Sequence, residues 1–293
     1  MMLAAGPSVS LPVSDPVKPV VRGGRHLLEV GDVVLEADAS LGGRVTGLLI
    51  GARNLLTGPA VDPANFGSTF WTSPQSQWGW PPLPEIDSAP YDAVVDGAVV
   101  VMRGPVSPTL GVAVEKRFSA DRARALFTLE YRIVNRGPTA TRLAPWEITR
   151  VAPGGLTFFP TGAGLFPPSN LGVDEAGGVT WFAYDAARIT ADQKLFADGA
   201  EGWIAHVDGD ALFVKAFEVV PRAAHAPGEA QIEVYANPAH TYIEIEQQGA
   251  YTMIPAGASL LWRVEWLVRS LPGSIPRTVG SDELVAFVRA LVR

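Results

Sequence analysis

The chain has 293 residues, of which 47% are hydrophobic and 18% charged, and its formal net charge is −7. That is ample material for a large core and excludes a disordered chain, while the acidic balance argues against nucleic acid and anionic membrane surfaces as partners. The absence of cysteine excludes disulfides, thiolate zinc sites and thiol nucleophiles, and no apolar run approaches the roughly 18 residues that a membrane-spanning helix needs.

In chain order, residues 1–24 are rich in Pro and Gly and lack a period, which predicts an extended N-terminal arm. Its first residues carry neither a basic region nor a full-length apolar one, so the sequence leaves the compartment open between cytoplasm, periplasm and secretion. Residues 25–37 read as a hairpin turning at Gly31-Asp32, and residues 41–56 as two short strands around Gly51-Ala52. Residues 57–90 read as one long loop with Phe66, Phe70, Trp71, Trp78 and Trp80. Loops of that length in a compact domain are functional or disordered, and five aromatics argue against disorder. Two roles fit: a plug over the edge or end of a sheet, or one wall of a carbohydrate site, since flat indole rings stack on the apolar faces of sugars.

Strands are expected next over 98–103, 111–118, 125–135 and 141–151, then a hairpin of 203–207 with 211–217 across Asp208-Gly209-Asp210. Further strands are expected over 231–235, 242–248 and 259–269. Only 281–293 reads as a helix, with Ser281 as its cap and Leu284, Phe287, Val288 and Leu291 as its apolar stripe. Strands and helices do not alternate, and no repeat of fixed period is seen. The fold class expected is therefore all-β, a large antiparallel β-sandwich over 25–275, with the helical segment 276–293 packed upon it.

The chemistry concentrates in the stretch around 237–251. On a strand, Tyr242, Glu244, Glu246 and Gln248 share one face while Ile243, Ile245 and Gln247 share the other. Carboxylates about 6.5–7 Å apart on one face repel, and repulsion raises the pKa of one of them. This is either a solvated sheet face or a concave binding face with one or two working carboxylates. A third acid, Glu147, follows Trp146, whose ring would desolvate it; the alternative is a salt bridge to Arg150, Arg142 or Arg44. If Glu147 and Glu246 face one another across a groove, they form an acid/base pair. Glycoside cleavage asks for two carboxyls about 5 Å apart, or about 6.5–9.5 Å for inversion, and anomeric epimerisation asks for a base at O1 and an acid at the ring oxygen. Arg44 follows two glycines on a strand whose backbone can pass close to a ligand, where it would bind hydroxyls or a carboxylate; a structural salt bridge is the other reading. His240 lies beside the acidic strand as a candidate ligand or acid, or as a plain loop residue. No metal-ligand spacing, nucleophile motif, phosphate loop or dinucleotide fingerprint is present, so neither metal nor cofactor is expected.

Several segments carry a resemblance. Gly42-Gly43-Arg44 leading to Asn54-Leu55-Leu56 resembles the opening of the galactose mutarotase-like (aldose 1-epimerase-like) superfamily. Residues 131–135 followed by Pro145-Trp146-Glu147 resemble its middle strands, and 255–262 its lead-in to the final strand. With the segment 242–249 added, the chain resembles most the DUF4380 branch over residues 25–270. The resemblance implies a β-supersandwich with a sugar-shaped groove. Where epimerases carry a catalytic His, this chain reads Trp146-Glu147, a departure from plain mutarotase chemistry. The expected function is carbohydrate binding, of a mono- or oligosaccharide, with epimerase-like carboxylate chemistry. Trp71, Trp78, Trp80 and Trp146 would stack, Arg44 and Gln248 would orient hydroxyls, His240, Tyr242 and Glu244 would line the groove, and Glu147 and Glu246 would handle protons. The alternative is a non-catalytic carbohydrate-binding, accessory or structural module. The sequence leaves open which sugar, whether turnover occurs, and the oligomeric state.

Overall fold

The computed structural model describes residues 14–293. Strand Leu126–Asn135 shows how its layers arise. Phe127, Leu129, Tyr131 and Ile133 are buried while Thr128, Glu130 and Arg132 are partly exposed, because successive side chains leave a strand on opposite faces. The strand runs antiparallel between Val112–Asp121 and Ser259–Ser270. This sheet continues on one side through Val99–Arg103 to Asp92–Asp96. On the other it runs through Ala211–Phe217, Trp203–Asp208 and Leu156–Leu165 to Val179–Ala183 and Asp174–Ala176.

The second sheet is built around Thr141–Val151, which lies between Ser68–Ser73 and Ile243–Gln248. Beyond Ile243–Gln248 come Ile232–Ala236 and Gln193–Gly199. Beyond Ser68–Ser73 come Arg44–Ile50, Val33–Asp38, Arg25–Val30 and Val20–Arg22. Leu156–Leu165 belongs to both layers: its first half pairs in the first sheet and Thr161 and Leu165 pair with Gln193–Gly199 in the second. Between the layers Phe127, Leu129, Phe213 and Trp266 meet Phe70, Leu195, Val234 and Ile245 in one apolar core. The fold is the all-β antiparallel sandwich that the alternation predicts.

Two segments differ from expectation. The loop expected over 57–90 contains a strand, Ser68–Ser73, and a helical turn, Pro84–Asp87. Ser68–Ser73 is buried along its whole length, so it lacks the alternation that betrays a half-exposed strand. The arm expected over 1–24 is joined to the sheet at its end, where Val20–Arg22 pairs with Arg25–Val30 across the Gly23-Gly24 turn and Pro16 bridges Asp121; residues 1–13 of that arm lie outside the described residues.

Helix Asp282–Leu291 starts where Ser281 Oγ accepts the Leu284 amide at 3.1 Å. It buries Leu284, Val285 and Val288 over Leu267, Val214, Trp203 and Phe158 on the outside of the first sheet. Each such side chain contributes about 1.5–3 kcal/mol when fully buried. Among the described residues no helix is long and apolar enough to cross a membrane, which does not bear on strands.

Candidate functional site

The parity of Thr141–Val151 decides what meets what. Glu147 and Thr149 point into the inter-sheet core, and Trp146, Ile148 and Arg150 point the other way. Register extends that outer face across the sheet, because directly paired residues share a side. Trp146 pairs with Gln248 and Trp71, Ile148 with Glu246 and Thr69, and Arg150 with Glu244. Glu246 then pairs with Glu233, Glu244 with Tyr235, and Tyr235 with Lys194. Five strands thus bring acids, amides, cations and indoles to one surface.

Glu147 is not part of it. Its Oε1 lies 2.9 Å from Lys215 Nζ and accepts from Gln247 Nε2 at 2.6 Å and Trp266 Nε1 at 3.0 Å. Its Oε2 accepts from the Tyr131 hydroxyl at 2.5 Å. Lys215 also donates to Thr149 Oγ1 and the Ile245 carbonyl. Burial depresses the Lys215 pKa, with Glu147 opposing, and burial together with Glu147 raises that of Tyr131. The expected pair of Glu147 with Glu246 is therefore not assembled, since the two carboxylates leave opposite faces of one sheet. Trp146, the ring before Glu147 and the one expected to desolvate it, is on the wrong face to do so; Tyr131 and Trp266 enclose it instead. Its cation is Lys215, not Arg44, Arg142 or Arg150.

On the outer face, Glu246 Oε2 accepts from Trp146 Nε1 at 2.8 Å. Lys194 Nζ lies 3.0 Å from Glu246 Oε1 and 2.6 Å from Glu233 Oε2, and 5.1 Å from the centre of the Trp146 ring. Glu233 Oε1 accepts from Gln248 Nε2 at 2.9 Å and from the Ala230 amide at 2.8 Å. Glu244 Oε1 accepts from Arg150 Nε at 2.8 Å, while Arg150 NH1 donates to Thr69 Oγ1. Glu229, in the loop before these strands, accepts from the Gln75 amide. Burial pushes the Glu233 carboxyl up to about 8, against the pull of Lys194 and with help from Glu246 and Glu229. Burial also raises Glu244 against Arg150, and raises Glu229. Lys194 is held above the ordinary lysine range: burial works against its charge, and Glu233 and Glu246 outweigh it.

The indoles form a connected series. Trp71 stands edge-on to Trp146 at 5.4 Å, to Trp78 at 5.7 Å and to Trp80 at 6.0 Å. Trp71 and Trp146 are buried, Trp78 is partly exposed, and Trp80 is 62% exposed at the margin. Trp71 Nε1 donates to Asp87 Oδ1 at 2.8 Å, and Asp87 Oδ2 meets Arg44 at 3.1 Å. Arg44 also donates to the Ala64 carbonyl and stacks on Phe66. Gly42, two residues before it, serves this contact. Gly42 has φ 69°, and a Cβ there would stand 2.1 Å from the Asp87 carbonyl oxygen, so the close approach expected of a ligand is made by the chain's own helical turn. Arg44 anchors the segment that orients Trp71. His240 sits with positive φ in an exposed turn, bonded to Tyr184 rather than to the acids. Tyr242 lies on the acid-bearing face, 6.0 Å from the Arg150 guanidinium.

Of the expected site residues, Trp71, Trp146, Tyr242, Glu244, Glu246 and Gln248 come together, Trp78 and Trp80 flank them, Arg44 acts through Asp87, and His240 and Glu147 stand apart. Sequence reasoning missed Lys194, Glu233 and Glu229. The signal for Lys194 is the alternation of Lys194, Phe196 and Asp198 with Leu195 and Ala197, and for Glu233 its place between Ile232 and Val234. Among the described residues, no group of three or more His, Asp or Glu side chains is arranged to hold a metal ion. Cavities of about 610 and 480 Å³ open elsewhere, the first at the Ile50–Phe127 end and the second beside Leu261, where Glu201, Glu218, Trp262, Arg263 and Glu265 line it.

Residues 25–269 match the family described as Domain of unknown function (DUF4380). No curated protein matches the chain. Among solved structures, a TPR-domain containing protein from Parabacteroides distasonis ATCC 8503 is similar with a TM-score of 0.60 and 13% identity, over 87% of this chain and 50% of that one; this chain thus spans about half its length. A galactose mutarotase-like protein from Lactobacillus casei ATCC 334 is similar with a TM-score of 0.59 and 11% identity, over 84% of this chain and 100% of that one. A galactose 1-epimerase from Lactobacillus acidophilus NCFM is similar with a TM-score of 0.55 and 13% identity, over 89% and 99%. At such identities the likeness is one of fold, the galactose mutarotase-like sandwich. The family match runs from strand Arg25–Val30 into strand Ser259–Ser270, across both sheets, and the chain belongs to the DUF4380 family.

Proposed function

We propose that this protein binds a carbohydrate on the outer face of the Thr141–Val151 sheet and moves protons on it in an epimerase-like reaction. The observation that carries the reading is the meeting of Glu233, Glu246 and Lys194 beside Trp146. Opening an aldose ring takes a proton from O1 and returns one to the ring oxygen, and closure on the other side reverses both steps. Two carboxyls whose surroundings differ suit the two jobs. Glu233, pushed up to about 8, keeps its proton at neutral pH and is the acid. Glu246, which only accepts hydrogen bonds here, from Trp146 and Lys194, is the base. The exposed face of Trp80 offers a stacking surface, and the fold, shared with a protein described as a galactose 1-epimerase, supports a sugar-shaped ligand.

Binding without turnover is the second reading. It is favoured by the packing of Trp71 on Trp146, which occupies both rings with one another and leaves stacking to the margin. Purified protein screened by NMR against mono- and oligosaccharides, with anomer exchange followed for each that binds, separates the two. Exchange that stops in Glu246→Gln while binding persists supports catalysis. Binding without exchange in the parent protein selects the second reading, and a panel on which nothing binds overturns both.

A further inference from the structure

The outer-face cluster holds more carboxyls than cations. The carboxyls of Glu229, Glu233, Glu244 and Glu246 face two cations, Lys194 and Arg150. Arg150 is committed to Glu244 and Thr69, and Lys194 divides its ammonium between Glu233 and Glu246. Gln248, only 3% exposed, donates its amide nitrogen to Glu233, yet its amide oxygen has no partner. A buried acceptor left without a donor costs about 1–3 kcal/mol, and surplus buried negative charge costs more. A ligand carrying both N–H donors and positive charge relieves both.

We propose that this site takes an amino sugar, whose ammonium group is held by Glu229, Glu233 and the free amide oxygen of Gln248. The proposal rests on the reading of this face as a carbohydrate site and names the class of sugar. A neutral sugar brings donors without charge, and an acidic sugar brings the wrong sign. The wall already accommodates one ammonium, that of Lys194, at 5.1 Å from the Trp146 ring and 5.5 Å from the Phe196 ring. Arg150 NH2, also buried without a partner, is free to donate to a ring hydroxyl.

Calorimetric titration of the full chain at neutral pH with D-glucosamine, N-acetyl-D-glucosamine and D-glucose tests this, because the three sugars differ at one substituent. Glucosamine is expected to bind at least about tenfold tighter than either of the others. Equal affinities, or binding of neutral sugars alone, overturn the amino-sugar proposal and leave the carbohydrate reading standing; failure of these three and of the wider sugar panel removes the reading beneath it. Glu233→Gln is expected to cut the preference for glucosamine to within about threefold, with the unfolding midpoint recorded to establish that the variant is folded. Glu229→Gln, at a partly exposed position, is expected to reduce the preference in the same direction and serves if Glu233→Gln does not fold. A preference unchanged in a folded variant overturns the assignment.

Discussion

Glu147 and Glu246 sit on neighbouring strands, each beside a lysine, and their surroundings differ in kind. Around Glu147 the charges balance: one carboxylate and one ammonium, with donors from Tyr131, Gln247 and Trp266, although the Gln247 amide oxygen itself has no partner. Around Glu246 they do not, because more carboxyls than cations meet there. A buried charge alone therefore does not mark a working site. A charge-balanced network specifies how two sheets pack, whereas one with surplus carboxyls retains capacity for a cation that is not part of the chain.

The contrast is sharpest in stability. Lys215→Met strands Glu147 in the core and is expected to cost about 3–5 kcal/mol in chemical denaturation; a cost below about 1 kcal/mol would show that Glu147 is relieved some other way. Pairing it with Glu147→Leu should recover much of the loss, since an apolar pair of similar volume is tolerated where one unpaired charge is not. Gly42→Ala forces a Cβ against the Asp87 carbonyl in a left-handed conformation, with an expected cost of about 1–3 kcal/mol and a change in tryptophan fluorescence as Asp87 releases Trp71. Unchanged fluorescence would mean that the Arg44–Asp87 contact does not position the indole.

The outer face is expected to show itself through pH. Glu233 moves from 4.5 when unfolded to about 8 when folded, so the native state binds the extra proton between those values. Stability falls as pH rises across that window, and Glu233→Gln should be less sensitive to pH there than the parent protein; parallel curves would place the proton elsewhere. The smallest effect on stability is expected from Glu246→Gln. The amide keeps an acceptor for Trp146, Lys194 keeps Glu233, and a surplus charge is removed, so the change should cost less than Lys215→Met, while anomer exchange stops and sugar binding persists. A large destabilisation would make Glu246 a structural residue like Glu147.

Alternation made much of this legible in the sequence. The faces of Leu126–Asn135 and of Ile243–Gln248 follow from their own residues, as does the Ser281-capped helix, because these signals are local. Ser68–Ser73 did not follow, since a strand buried on both faces has no alternation to read. The site was legible only in part. That Glu244, Glu246 and Gln248 share a face is a property of one strand. That Trp146 joins them and Glu147 does not depends on which way Thr141–Val151 is turned, and parity between strands far apart in sequence is set by packing. Alternation marks the faces of Lys194 and Glu233 on their own strands, but register brings them beside Glu246.

Strand Leu156–Leu165, shared by the two layers, bears on how the molecule comes apart. A sandwich whose halves meet only through side chains can slide or peel at that seam. Here one continuous strand crosses it, paired in the first layer over its first half and in the second at Thr161 and Leu165, so loosening one layer tugs directly on its neighbour. Amide protons on both sides of the seam should then exchange with solvent in a single cooperative event.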